Sequence, residues 1–198
     1  MMLTVLRGGI FRAMVLGALL WVQVLSAGAA SGFSVVAEPI GSAVGINARA
    51  TLSAPYELIW TTLTDYNGLS GFIPGMHSSK VVAKRGPTAI VEQRGEAGFL
   101  IFMRDINVVV ASTEYPPERI EIRIIRGNLK QLSGHYQVDR GDREDVWVLR
   151  WVGQIEPELS LPRFLGVPLI RSSIEDQFRG MVDEIERRES VRRAAYKP

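Results

Sequence analysis

The chain contains no cysteine. That absence excludes disulfides, thiolate metal sites and a cysteine nucleophile. Histidine is almost as scarce. The two histidines, His77 and His135, stand far apart and in no spaced ligand motif, whereas metal sites draw on three or four clustered donors. No Gly-x-Ser-x-Gly elbow occurs, and neither histidine comes with an evident serine and carboxylate, so a serine triad has no support. Gly68, Gly71 and Gly75 punctuate one stretch, but no Lys-Ser or Lys-Thr follows them. They read as turn residues and not as a phosphate cradle. Internal repeats and low-complexity blocks are missing. So is a basic stripe interleaved with aromatics, which removes nucleic acid as an expected partner. Nothing in the pattern calls for a cofactor or a metal.

Long apolar runs are also absent, with one exception. Ala13 to Leu25 is almost wholly apolar, follows Arg7 and Arg12, and precedes the small residues Ala27, Gly28 and Ala29. A positive segment, a short apolar core and an Ala-x-Ala site form a secretory signal peptide. The core falls short of the roughly 20 apolar residues a spanning helix needs. Residues 1–29 are therefore expected to be a signal, and the protein to be exported, with the periplasm as its expected compartment. Without cysteine, a lipoprotein anchor is excluded. The chain has 23 Lys and Arg against 21 Asp and Glu, and the signal holds two of the Arg and none of the acids. The mature part is thus formally neutral, and the high isoelectric point says nothing about partners. The remaining 169 residues make one domain of ordinary size. A domain of about 150 residues buries roughly 68–70% of its unfolded surface, enough for a core without staples.

What is present is pattern. Residues 30–42, small and polar with Pro39, read as a flexible leader. Val44 to Leu52 alternates as a half-buried strand. Ser53-Ala54-Pro55 predicts a helix start, with Ser as cap and Pro in the first turn. Leu58, Ile59, Leu63 and Tyr66 then recur at helical spacing until Asn67-Gly68, and Leu69 to Ile73 fits one more short turn. Six strand-like runs follow: Ser79–Lys84, Thr88–Glu96, Phe99–Ser112, Arg119–Arg126, Leu129–Val138 and Val146–Ile155. Short turns between them imply antiparallel neighbours. Ile170, Ile174, Phe178, Met181 and Ile185 form one helical apolar stripe. From Glu186 the chain is strongly charged and expected to be solvated or frayed, and 191–198 to be a charged tail. Seven antiparallel strands need a cover, and this helix is the only long amphipathic element available, so the class is α+β.

The stretch from Ala54-Pro55 to Val82 carries a family resemblance. Trp60 inside the helix, Leu63, Asp65 and Tyr66, then Phe72 and Pro74, and a Val-rich strand after them, resemble the opening of the START-like superfamily. This is the polyketide cyclase/dehydrase and lipid transport group (SRPBCC), and within it the pattern is most similar to the coenzyme Q-binding START branch. The resemblance implies a helix-grip domain over 43–190. In such a domain a seven-stranded curved sheet wraps a long C-terminal helix, two short helices follow strand one, and a deep cavity lies between sheet and helix. It further implies a lipid, quinone, steroid or polyketide ligand, and a gate at Phe72, Ile73 and Met76.

Read from the residues, Phe99, Phe102, Met103, Trp147, Trp151 and Phe164 exceed what a sheet face needs for solvent contact, so some are expected to line a cup with Ile174 and Phe178. Arg150 interrupts an apolar strand, where a charge is costly unless paired or facing a polar space. It is read either as an outward residue or, with Glu92, as the group that orients a ligand's polar end. The leading expectation is a binding module for a hydrophobic small molecule or lipid, held quinone-, fatty-acid- or polyketide-like in the cavity, with possible transient membrane contact through Leu159–Pro168. One alternative is a cyclase/dehydratase enzyme using Asp65, Glu92 or Asp105 as acid or base. Another is an envelope interaction protein with a vestigial cavity.

Overall fold

The computed structural model describes residues 32–99, 102–158 and 162–196; the expected signal peptide lies outside them. Two strands, β1 (Ser34–Ile40) and β2 (Ala43–Leu52), precede helix α1 (Tyr56–Leu63) and a 3-10 turn (Leu69–Gly71). A meander follows: β3 (Met76–Arg85), β4 (Thr88–Phe99), β5 (Phe102–Tyr115), β6 (Arg119–Gly127), β7 (Leu129–Arg140) and β8 (Trp147–Pro157). Helix α2 (Arg163–Ala195) ends the chain. All strands form one antiparallel sheet of order β1-β2-β8-β7-β6-β5-β4-β3. The α1 excursion is what makes this order. It carries the chain from β2, paired with β8, to β3 at the far edge. The sheet is curved and grips α2, which is the helix-grip arrangement.

Alternation decides which side chains face inward. In β2, Ala48, Ala50 and Leu52 are fully buried beneath α2, and Asn47 and Arg49 point away. In β8 the inward set is Leu149, Trp151 and Ile155. The expected stripe on α2 is the one that meets the sheet: Ile170, Phe178, Met181 and Ile185 are buried. Around the middle of α2 these join Ile59 and Leu63 of α1, and Val91, Val110, Ile120 and Leu149 of the sheet, in one core.

Four expectations need correction. Among the described residues the sheet has eight strands, not seven. The extra one is β1, formed by residues read as a leader. Val35 is buried there between exposed Ser34 and half-exposed Val36. Pro39 is tolerated because β1 is an edge strand. Tertiary contacts hold the segment: Phe33 packs on Phe178 with centroids 5.6 Å apart, Arg179 lies 4.0 Å over the Phe33 ring, and Arg171 donates to the Val35 carbonyl at 3.1 Å. Second, the run expected from Phe99 to Ser112 starts later: Phe99 is the last residue of β4, and β5 begins at Phe102, which pairs with it across the reversal, and runs to Tyr115. Third, Ser53 makes no capping bond; α1 starts after Pro55 with no side-chain cap. Fourth, α2 neither begins nor ends where expected. It starts at Arg163, inside the Leu159–Pro168 stretch read for membrane contact, with Pro168 within it, and stays helical to Ala195 through the segment read as solvated or frayed, whose last residues are exposed.

Candidate functional site

The inward faces of the strands and of α2 do not close along their whole length. At the end of α2 that is nearer its N-terminus they leave a cavity of about 360 Å³. Its walls come from β4 (Gln93, Gly95), β5 (Ile106, Val108, Val110), β6 (Ile120, Ile122), β7 (Leu132, Tyr136), β8 (Trp151, Ile155) and α2 (Ile170, Ile174, Phe178). Leu63, Tyr66, Leu69 and Ile73 close it from the α1 side. The mouth lies where strand ends and turns meet, with Ala97, Arg104, Asn128, Pro157, Glu158 and Leu169 on its border. The lining is mainly aliphatic and aromatic, which suits an apolar guest of small-molecule size.

The floor is shaped by two glycines. Gly134 and Gly153 pair directly across β7 and β8. A Cβ on Gly134 would stand 2.8 Å from the Gly153 Cα, and one on Gly153 would stand 2.9 Å from the Trp151 indole. The bare backbone therefore lets the indole lie close over the sheet. A second close approach positions the loop after the 3-10 turn. Gly75 takes φ +74°, its carbonyl accepts from Glu96 N–H at 2.8 Å, and a Cβ on Gly180 would meet Pro74 at 2.5 Å. The loop is clamped between β4 and α2.

Polar groups are few and graded by depth. At the closed end the Tyr66 hydroxyl donates to Glu114 Oε1 at 3.1 Å, and Ser112 is buried beside it. Burial, and then the neighbouring Glu114 charge, hold the Tyr66 phenol well above its usual range. Tyr136 lies midway, and burial raises its phenol likewise. Gln93, Ser173 and Gln177 add neutral groups, whereas Glu96, Arg104, Asp105 and Glu158 supply charge toward the mouth, and Arg94 borders it as a residue whose exposed side chain has the outward parity of Glu92. Arg94 is engaged by Glu92 at 2.8 Å.

The expected site residues separate accordingly. Ile73, Met76, Trp151, Ile174 and Phe178 line the cavity. Phe72 does not; it lies under Arg188, whose guanidinium sits 5.5 Å from its ring. Trp147 belongs to a different place, an open groove of about 1170 Å³ at the other end of the domain, where it packs on Tyr56 at 5.3 Å under Arg140. Phe164 is 76% exposed and is not part of the cavity lining. The side chains of Phe99 and Phe102 lie outside the described residues. Glu92 and Arg150 are corrections. Both have outward parity: Glu92 alternates with buried Val91, and Arg150 with buried Leu149 and Trp151. Arg150 ends in an ion pair with Asp139 at 2.5 Å on the convex face. The acid–base candidates fare similarly. Asp65 accepts from Gly68 N–H at 3.2 Å and pairs with Arg188 at 2.8 Å, and Asp105 is exposed at the mouth. His77 is exposed 3.8 Å from Glu96, and His135 faces outward into the open groove. Sequence reading passed over Tyr136 and Tyr66 as ligand groups, although Tyr136 shares the inward parity of Leu132 and Val138.

A sequence profile described as polyketide cyclase/dehydrase and lipid transport matches residues 43–188. The chain belongs to that family. The fold of the chain agrees with solved structures that share little sequence with it. The Zhui aromatase/cyclase from Streptomyces sp. R1128 superposes with a TM-score of 0.62 at 14% identity, over 74% of this chain and 95% of that one. A START superfamily protein from Mycobacterium smegmatis gives 0.62 at 16% identity, over 72% and 97%. A STAR-related lipid transfer protein from Xanthomonas axonopodis gives 0.60 at 12% identity, over 78% and 99%. At such identities the likeness concerns the fold. No curated protein matches the chain by sequence. Family membership places the chain among proteins associated with hydrophobic ligand binding, lipid transport or polyketide cyclisation.

Proposed function

We propose that the protein is an exported carrier that holds one apolar small molecule or lipid between sheet and α2. The observation that carries this reading is the 360 Å³ cavity with an aliphatic and aromatic lining and charge confined to its mouth. Burial of ligand surface at about 25 cal/mol per Å² supplies the affinity. Native mass spectrometry of the mature protein purified from its own host is expected to show an added small-molecule mass, displaced by an apolar fluorescent probe. A protein that carries no such mass and takes up no apolar probe would end the proposal.

The rim supports delivery at a membrane. Phe164 (76% exposed), Leu165 (42%), Met103 (47%) and Ile125 (54%) come from the start of α2 and from beside the β4–β5 and β6–β7 turns, around the mouth. Docking them into a bilayer spares the ligand a passage through water. Replacing Phe164 and Leu165 with Glu is expected to reduce co-flotation with phosphatidylethanolamine–phosphatidylglycerol vesicles while probe uptake in solution persists. Unchanged flotation excludes this rim. The export assignment rests on residues 1–29, and N-terminal sequencing of the mature protein is expected to begin at Ala30; retention of Met1 would refute it. A cyclase/dehydratase reading has less support, because Asp65, Glu92 and Asp105 all lie outside the interior.

A further inference from the structure

The interior hydroxyls of the cavity differ in whether they have a partner. Tyr66 donates to Glu114 at 3.1 Å, and Ser112 in turn bonds to Tyr66. Ser173 also has a bond of its own. Tyr136 has none among the described residues. It sits in the middle of β7, opposite Ile120 on one side and Trp151 on the other, and all three line the cavity. It lies deep enough for desolvation alone to raise its phenol. Yet the residue retains accessible surface, and its oxygen is absent from the enclosed, unpartnered side-chain atoms, which are those of Tyr56 and Ser79. The open space it reaches at that depth is the cavity.

A phenol held neutral in an apolar surround is a hydrogen-bond donor seeking an acceptor. Leaving it unpaired against a purely hydrocarbon guest is unfavourable. Among the described residues that line the cavity no cation lies at its depth; Arg104 stands toward the mouth, and Arg94 is turned outward to Glu92. A carboxylate or phosphate brought to Tyr136 would lose its hydration with no opposite charge to replace it. We infer that Tyr136 is the polar anchor of the ligand site, donating to an uncharged carbonyl or ether oxygen on an otherwise apolar ring-bearing or chain molecule, with quinones and ketones as the matching class. The inference rests on the carrier reading and sharpens it. A free fatty acid fits less well, since its head group would have to stay at the mouth near Arg104 and leave Tyr136 facing hydrocarbon.

The test uses two probes of nearly equal shape, menadione and 2-methylnaphthalene, which differ in the two carbonyls. Each is titrated into the mature protein and into Tyr136→Phe, which keeps the ring. Tyr136→Phe is expected to weaken menadione about three- to tenfold and to leave 2-methylnaphthalene within twofold. In the unmodified protein the infrared carbonyl stretch of bound menadione is expected to move to lower frequency, and in Tyr136→Phe to return toward the unbonded position. Equal effects on both probes, or no effect on either, overturn the anchor while the cavity stands. A carbonyl stretch identical in the two proteins overturns it independently of affinity. If neither probe binds the unmodified protein, the carrier reading fails and the anchor falls with it.

Discussion

The residue that most depends on its neighbours' smallness is Trp151. Its indole is 6% exposed and forms part of the cavity wall, and it owes that position to the paired glycines beneath it. Adding a methyl group at Gly153 forces either the indole into the lumen or the β7–β8 ladder apart, because the new carbon would stand 2.6 Å from the Ser133 carbonyl and 2.9 Å from the ring. Overpacking of this kind destabilises by about 1–3 kcal/mol. Gly153→Ala is thus expected to lower the thermal midpoint and to weaken uptake of an apolar probe together. Gly71→Ala is the control, since a Cβ there meets nothing within 4 Å. If Gly153→Ala behaves like Gly71→Ala in both measurements, the indole does not rest on that floor.

Among the elements, α2 shows how charge can build structure that looks, in sequence, like a tail. Its second half repeats Glu-x-x-Arg-Arg, at Glu184–Arg188 and Glu189–Arg193. Each Glu is nearly buried and takes both arginines: Arg187 and Arg188 reach Glu184 at 2.7 Å, Arg192 and Arg193 reach Glu189 at 2.7 and 2.5 Å. Arg188 goes on to Asp65 at 2.8 Å, and Arg193 to the Ser53 carbonyl at 2.9 Å, so the forks also bolt α2 to both ends of the α1 segment. Hydrogen bonds from Arg187 and Arg192, first among the causes, hold Glu184 and Glu189 down to about 2 from an ordinary 4.5. A carboxylate pKa depressed in the folded state stabilises above the unfolded value and loses that contribution as pH falls through the folded one. The thermal midpoint is therefore expected to drop between about pH 5 and pH 2, and the double variant Glu184→Gln, Glu189→Gln to start lower at pH 7 and drop less. A variant with an unchanged pH slope would show that other groups govern the acid limb. The alternation and the apolar stripe of α2 were legible because each rests on local spacing. The reach of the forks, the Phe33 anchor of β1 and the Phe99–Phe102 reversal were not. The forks rest on local i,i+3 and i,i+4 spacing that was there to be read; what the sequence hid is their reach to Asp65 and Ser53 and the stacking of Phe33 on Phe178, each between residues more than 120 positions apart, and the reversal has no Gly-Asn or Pro signal of its own. Parity read from the apolar neighbours would have turned Glu92 and Arg150 outward and Tyr136 inward.

For the whole molecule the question is why one half of the grip is filled and the other is open. Helix α1 is short, and its buried Ile59 and Leu63 fill only the end of the concave space that α2 crosses with Phe178, Met181 and Ile185. Beyond Phe178 the helix presents Ile174 and Ile170 to strands β5 to β8 with no third layer between them, and the 360 Å³ remains. Apolar space left unfilled forgoes dispersion contacts and stability, by about 24 cal/mol per Å³ in well-studied cores, so an interior kept open is the signature of a site that trades stability for occupancy. Ile174→Phe puts a larger side chain into that space from a half-buried helix position. In a cavity the added ring finds room and contacts, so the thermal midpoint is expected to hold or rise by a few degrees while probe uptake is lost. In a close-packed interior the same change would overpack, at about 1–3 kcal/mol, and the midpoint would fall. The sign of the shift, read beside probe uptake, therefore decides between a guest-holding grip and a core with a vestigial gap, and a falling midpoint with uptake intact would favour neither the cavity's position nor its role as proposed.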